Sequence, residues 1–228
     1  MAEEPVPISI LSAQVQHGRG VKEASLPLMT LSVASQLLYF QRTLDLVADV
    51  PGDVVECGVG WGRSLLSWAL LVQLEGKGRE VWGFDSFEGF PDPSPHDHSP
   101  RGVKRGEWKT DRESVLKMLE ASGLAPEFLR LSLRIVKGFF HESLPRYPRE
   151  RIAVLHIDAD LYQSYLDVLT QLYAKVVPGG VILFDEYLNP IEQEKFPGAQ
   201  RAIDEFFQGR EPILRDAIAG KYYAVKGS

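Results

Sequence analysis

Five short apolar runs, each ending in a polar group, alternate with stretches of helical periodicity. This rhythm constrains the fold more than any other feature of the chain. The runs are "DVVECG" (53–58), "EVWGFD" (80–85), "LRIVKG" (133–138), "IAVLHID" (152–158) and "GGVILFDE" (179–186). β-Branched and aromatic residues dominate them, as expected of buried strands. Between them "GRSLLSWALLVQL" (62–74), a segment near 111–122, "YQSYLDVLTQLYAKV" (162–176) and "GAQRAIDEFFQG" (198–209) read as helices. A further helix is expected over 30–50, with Thr30 or Ser32 as its cap and "PG" (51–52) as its stop. Two short strands, near "PILR" and "KYYAVK", close the chain. Strands alternating with helices imply a doubly wound α/β fold, a parallel sheet with helices on both faces. Ligands of such sheets bind beyond the carboxyl ends of the strands. Glu56, Asp85, Lys137-Gly138, Asp158 and Asp185-Glu186 then fall along one edge.

A chain of 228 residues can bury a substantial core as one domain. Residues 28–228 are expected to form that domain, and 1–27 a polar arm suited to contact with a partner subunit. The net charge of −6 argues against nucleic acid as a partner. The chain has no stretch of eighteen apolar residues, so no membrane-spanning helix is expected. "MAEEPVPISI" lacks the basic and apolar regions of a secretory signal. The single cysteine, Cys57, cannot close an internal disulfide. Together these point to a cytoplasmic protein.

The first strand runs into "VVECGVGWGRS" (54–64), with glycines at 58, 60 and 62. Glycines here permit a tight turn and close approach of backbone to ligand. They do not match the G-x-G-x-x-G spacing of a dinucleotide site, which argues against a nicotinamide dehydrogenase. Glu56 would repel a pyrophosphate but suits a cationic amine, such as that of S-adenosylmethionine. Asp85, at the end of the second strand, can accept both hydroxyls of a ribose. Ser64 and the helix start would receive the cofactor carboxylate. Gly58, Val59, Gly60 and Ser86 complete the expected cradle, and Gly138, Phe139 and Phe140 after the third strand would flank the adenine. A plain glycine turn with surface acids, and core packing for one of the phenylalanines, are the competing readings.

Asp158 and Asp160 end the fourth strand, and Asp185 and Glu186 the fifth. Like charges so close need compensation. Hard oxygen donors from neighbouring strand ends suit Mg²⁺, or Mn²⁺ or Ca²⁺. The ligands expected are Asp158, Asp185 and Glu186, while Asp160 could simply cap the next helix. His156 reads as a buried neutral histidine, and His96 and His98 as solvated loop residues. The Pro- and Gly-rich loop 91–114 is a candidate lid, with Trp108 either on substrate or anchoring the surface. The loop 187–198 is a candidate substrate wall.

"VVECGVGWGRS", "GFDSFEGFP", "VKGFFHESLP", "HIDADLYQSYLDVL", "VPGGVILFDEY" and "FPGAQRAIDEF" occur in this order, and together they resemble the macrocin O-methyltransferase (TylF/MycF/NovP-type) family. The resemblance runs from about residue 28 onward. It implies a class I methyltransferase fold, with a mostly parallel seven-stranded sheet and an antiparallel C-terminal strand. It also implies a Mg²⁺-dependent, S-adenosylmethionine-dependent O-methyltransferase acting on a sugar hydroxyl of a glycosylated natural product, and a homo-oligomer. The family's metal ligands fall on Asp158, Asp185 and Glu186, with Glu186 in place of the more usual aspartate. A looser similarity to catechol O-methyltransferases leaves a phenolic or other vicinal diol as the alternative acceptor. The catalytic lysine of that group falls on Leu161, which cannot take a proton. The base therefore falls to Asp158, ahead of Asp160, His141 or a metal-bound hydroxide. A cofactor-binding subunit without catalysis is the remaining alternative, disfavoured by the intact carboxylates.

Overall fold

The computed structural model describes residues 30–189 and 194–227. The expected arm, 1–27, and residues 190–193 of the second loop lie outside the described residues. The strands are β1 (Asp53–Cys57), β2 (Val81–Asp85), β3 (Leu133–Lys137), β4 (Ile152–Ile157), β5 (Val176–Phe184), β6 (Ile213–Arg215) and β7 (Tyr222–Val225). They form one seven-stranded sheet in the order β3-β2-β1-β4-β5-β7-β6. The first five strands run parallel, and β7 is antiparallel to both β5 and β6. This is the sheet anticipated from the resemblance.

Period-two alternation sorts each strand's side chains to two helical layers. Val55, Cys57, Leu155, Ile157, Ile182 and Phe184 pack against Tyr165, Val168, Leu169, Ala202 and Ile203. Those residues belong to α6 (Tyr162–Leu172) and α7 (Pro197–Phe207). On the other face Val54, Val154, Val181 and Leu183 meet Phe40, Leu44, Leu65 and Trp68. Those lie on α1 (Leu31–Leu46) and α2 (Arg63–Glu75). α2 starts and stops at left-handed glycines, Gly62 and Gly76. α3 spans Arg112–Glu120, capped by Asp111, whose side chain accepts from the Ser114 amide.

Two short helices were not anticipated: α4 (Pro126–Leu131) and the single turn α5 (Phe140–Ser143). Six and four residues are too few to show a 3.6-residue period. Among the described residues, no helix is long and apolar enough to cross a membrane.

The ladder extends one residue past the strands. The amides of Gly58, Asp158, Asp185 and Gly138 donate to Phe84, Cys57, Ile157 and Asp85 carbonyls at 2.9, 2.9, 3.1 and 3.0 Å. These bonds hold the strand-end groups level along one edge of the sheet.

Candidate active site

A cavity of about 540 Å³ opens along that edge. Its lining includes Gly58, Val59, Gly60 and Ser64, then Asp85 and Ser86, then Phe139, Phe140 and His141, and lastly Asp158. The backbone of Gly58 has φ +99°, and a Cβ there would sit 1.7 Å from the Asp158 carbonyl oxygen. Only glycine lets β1 and β4 close so tightly at this point. Asp85 is fixed by the loops it joins: Oδ2 accepts from the Gly60 amide at 2.9 Å and Oδ1 from the Phe87 amide at 2.7 Å. Burial raises its pKa, and hydrogen bonds from the Phe87, Gly60 and Val59 amides offset only part of that rise. Each carboxylate oxygen keeps acceptor capacity for a ribose hydroxyl.

Two expected cofactor residues do not line the cavity. Gly138, at φ +144°, supports Asp85 from behind through its amide. Glu56 alternates with Val55 and Cys57, so its side chain turns into the α1/α2 layer beside Val54. There it is fully buried, with Oε1 2.9 Å from His156 Nδ1. The two residues are register partners on β1 and β4. Glu56 Oε2 has no hydrogen-bond partner among the described residues. His156 is buried as expected. Desolvation pulls its pKa down, but the hydrogen bond and charge of Glu56 prevail and raise it. Sequence reasoning missed Gln36 on α1 and Gln163, Ser164 and Asp167 on α6, which also line the cavity. Gln163 and Asp167 are four apart on one helix and hydrogen-bonded at 2.8 Å, a pairing that reads equally as a solvated face.

The carboxylates gather in a different set from the one expected. One oxygen from each of Asp158, Asp160 and Glu186 lies within 4.8 Å of the others. Asp160 lies three residues past the end of β4, where its backbone is left-handed at φ +57°. Asp185 is instead paired with Lys221, Nζ to Oδ1 2.6 Å. Desolvation and the Asp185 charge push the Asp158 carboxyl up to about 7. Glu186 is raised well above its usual range by burial and by Asp158, Asp160 and Asp185, against a hydrogen bond with Tyr165. A second cavity, about 560 Å³, lies against Leu31, Ser32, Ser35 and Gln36 of α1 and reaches Asp158, Asp185 and Lys221. Gln36 and Asp158 line both cavities.

The 91–114 loop is an ordered wall. Asp97 is buried; Oδ2 accepts from the Ser94 amide and Oδ1 from the Tyr162 amide, both at 2.7 Å, the latter at the first residue of α6. The Ser99 hydroxyl donates to the Lys195 carbonyl at 2.9 Å, joining this loop to the second one. Phe90 and Trp108 stack at 5.7 Å, and both line the first cavity. The Arg101 guanidinium lies 5.2 to 6.0 Å from the rings of Phe90, Trp108 and Phe196. Trp108 thus does anchor the loop, although the residue stays 57% exposed. His98 is exposed and His96 packs on Tyr162, and among the described residues no candidate metal cluster includes either.

The strand order, the glycine turn and the crevice at the strand ends define a class I methyltransferase fold. Within that class the chain belongs to the macrocin-O-methyltransferase (TylF) family, whose model it matches over residues 24–216. It is 33% identical to mycinamicin III 3''-O-methyltransferase from Micromonospora griseorubida over 150 residues, 64% of this chain and 59% of that protein. It is 35% identical to demethyldecarbamoylnovobiocin O-methyltransferase from Streptomyces niveus over 167 residues, 69% of this chain and 59% of the relative. The chain thus spans about three fifths of either relative. The crystal structure of CalS11, calicheamicin methyltransferase, superimposes with a TM-score of 0.75 at 28% identity, over 86% of this chain and 80% of that one.

Proposed function

We propose that the protein is an S-adenosylmethionine-dependent, divalent-metal-dependent O-methyltransferase acting on a sugar hydroxyl of a glycosylated natural product. One observation carries this reading: Asp158 stands where the two cavities meet. A carboxylate at that junction faces both the donor and the acceptor of a methyl transfer. A third relative, 32% identical over 176 residues, is named for 4'-O-methylation of a rhamnosyl-tetracenomycin, which favours a sugar over a phenolic diol as acceptor.

In this reading Asp85 holds the ribose, Ser64 and the α2 start the carboxylate, and Phe139 and Phe140 the adenine. The acceptor oxygen attacks the methyl carbon in line with the sulfonium. The carbon–sulfur bond breaks as the oxygen–carbon bond forms, S-adenosylhomocysteine leaves, and the hydroxyl proton passes to Asp158. Alignment of the reactants can supply about 7–11 kcal/mol of the barrier. The donor set fits a hard divalent cation: Asp158, Asp160 and Glu186 would hold it, with Asp185 beside them. When bound, Mg²⁺ would lower the pKa of the acceptor hydroxyl and orient it. The 91–114 wall borders the donor side of the first cavity through Pro91, Asp92 and Trp108. Self-association is part of this reading, and analytical ultracentrifugation checks it.

Turnover of a panel of glycosides and catechols with S-adenosylmethionine tests the assignment. Asp158→Asn is expected to lower kcat by about 10²–10⁴-fold. S-adenosylhomocysteine binding, followed by calorimetry, should stay within a few-fold of wild type. Wild-type turnover by the variant would remove Asp158 from the chemistry, and methylation of catechols alone would replace the sugar acceptor.

A further inference from the structure

We infer that Gln36, on α1, binds the amino-acid end of the methyl donor. The inference rests on the S-adenosylmethionine reading above and names a contact within it. The sequence pattern assigns the donor amine to Glu56, but that carboxylate is fully buried against His156 and does not line the cavity. An ammonium brought into the crevice still needs acceptors. Gln36 and Asp158 are the two residues shared by the linings of the two cavities. Gln36 is half-buried, and its carboxamide has no hydrogen-bond partner among the described residues. A part-buried amide at the meeting point of two cavities is a polar group awaiting a partner.

The helix that carries Gln36 is firmly seated. One turn on, Phe40 is buried; its ring stacks on Trp68 at 4.0 Å and meets the His156 ring edge at 5.1 Å. The Tyr39 hydroxyl donates to the Tyr222 carbonyl at 3.3 Å, and Arg42 grips the Asp216 carboxylate at 3.0 and 2.6 Å. Residues four apart share a helix face, so Gln36 stands on the same side as Phe40, toward the sheet. The chemistry of the donor places its amino-acid end here. The sulfonium carries three groups: the adenosyl group, the methyl and the amino-acid chain. With the adenosyl group at Asp85 and the methyl at the junction marked by Asp158, the amino-acid chain lies beyond the sulfur, on the α1 side. A carboxamide suits that end, because Oε1 accepts from the ammonium while Nε2 can donate to the carboxylate.

The test compares two nucleosides by calorimetry with the full chain and no acceptor. One is S-adenosylhomocysteine; the other is 5'-methylthioadenosine, which has a methyl group in place of the amino-acid chain. Wild type should prefer S-adenosylhomocysteine. Gln36→Met keeps the length of the side chain but not its amide, and should shrink that preference by about tenfold, the value of one hydrogen bond to a charged group. The loss should fall on S-adenosylhomocysteine, with 5'-methylthioadenosine held within about twofold of wild type. Thermal unfolding reports that the variant is folded, and Gln36→Ala repeats the comparison if Gln36→Met is not. An unchanged preference in a folded variant, or no preference in wild type, overturns the role of Gln36 and leaves the donor site standing. If wild type binds neither nucleoside, the donor reading itself fails, and this inference with it.

Discussion

At the scale of single residues the site depends on backbone contact as much as on side chains. Gly58 shows this most clearly. Its φ is +99°, and a methyl group there would overlap the carbonyl of Asp158 at 1.7 Å. Gly60 also has positive φ, +52°, but a Cβ there meets nothing within 4 Å. Gly60→Ala should therefore cost only the left-handed penalty of about 1–2 kcal/mol. Gly58→Ala should cost more than about 3 kcal/mol, since β1 and β4 must part to admit the methyl group. Urea unfolding of the two variants checks the order, and equal losses would show that the β1–β4 contact is not tight. Glu56 teaches the complementary lesson. Its place before the first glycine suggested contact with a ligand amine, but strand alternation turns it under the sheet to His156.

At the scale of elements the central device is Asp97, a loop carboxylate that serves as the cap of another element. α6 has no side-chain cap from its own preceding residue, Leu161. Asp97 supplies one from 65 positions away, and a Cβ on Gly198 of α7 would fall 2.0 Å from the same carboxylate oxygen. Asp97→Ala should destabilise the protein by about 1–2 kcal/mol, the usual value of a lost cap. It should also raise the KM for S-adenosylmethionine, because the loop and the α6 start both border the first cavity. Thermal unfolding with initial rates separates the two effects; a change in stability with KM unmoved would make Asp97 a cap and nothing more.

At the scale of the whole molecule the C-terminal turn is tied to the first helix by a charge pair, and that tie is pH-sensitive. Burial alone would raise the Asp216 carboxyl. Hydrogen bonds from Arg42 and from the Ala219 and Ile218 amides more than offset this, so its pKa lies below the usual carboxylate range. A carboxyl with a lowered folded-state pKa adds stability that is present above the unfolded pKa and lost as pH falls through the folded one. Wild type should therefore exceed Asp216→Asn in stability at pH 7, and the gap should narrow below about pH 4. Urea midpoints at pH 7 and pH 3.5 measure it; a gap that widens on acidification would mean the pair does not stabilise the fold.

Much of this protein was legible before its structure. Apolar runs of five or six residues, such as "IAVLHI", have one economical burial, a central parallel strand, and helices with an apolar stripe must cover it. The order of polar strand ends then follows from chain direction, which is why Gly58, Asp85, Phe139 and Asp158 were found at one crevice. What the local sequence could not state is which side chains turn toward each other once the strands are in register. The partner of Glu56 is 100 residues away, and the cap of α6 comes from 65 residues upstream. Asp160, past the end of β4, comes within reach of Glu186 after β5, while Asp185 meets a lysine on a hairpin clamped by Arg42. Periodicity determines the face on which a residue lies, because it is set by the backbone alone. Pairing among charges is decided only by tertiary structure, because it depends on distances of a few ångströms between segments far apart in the chain.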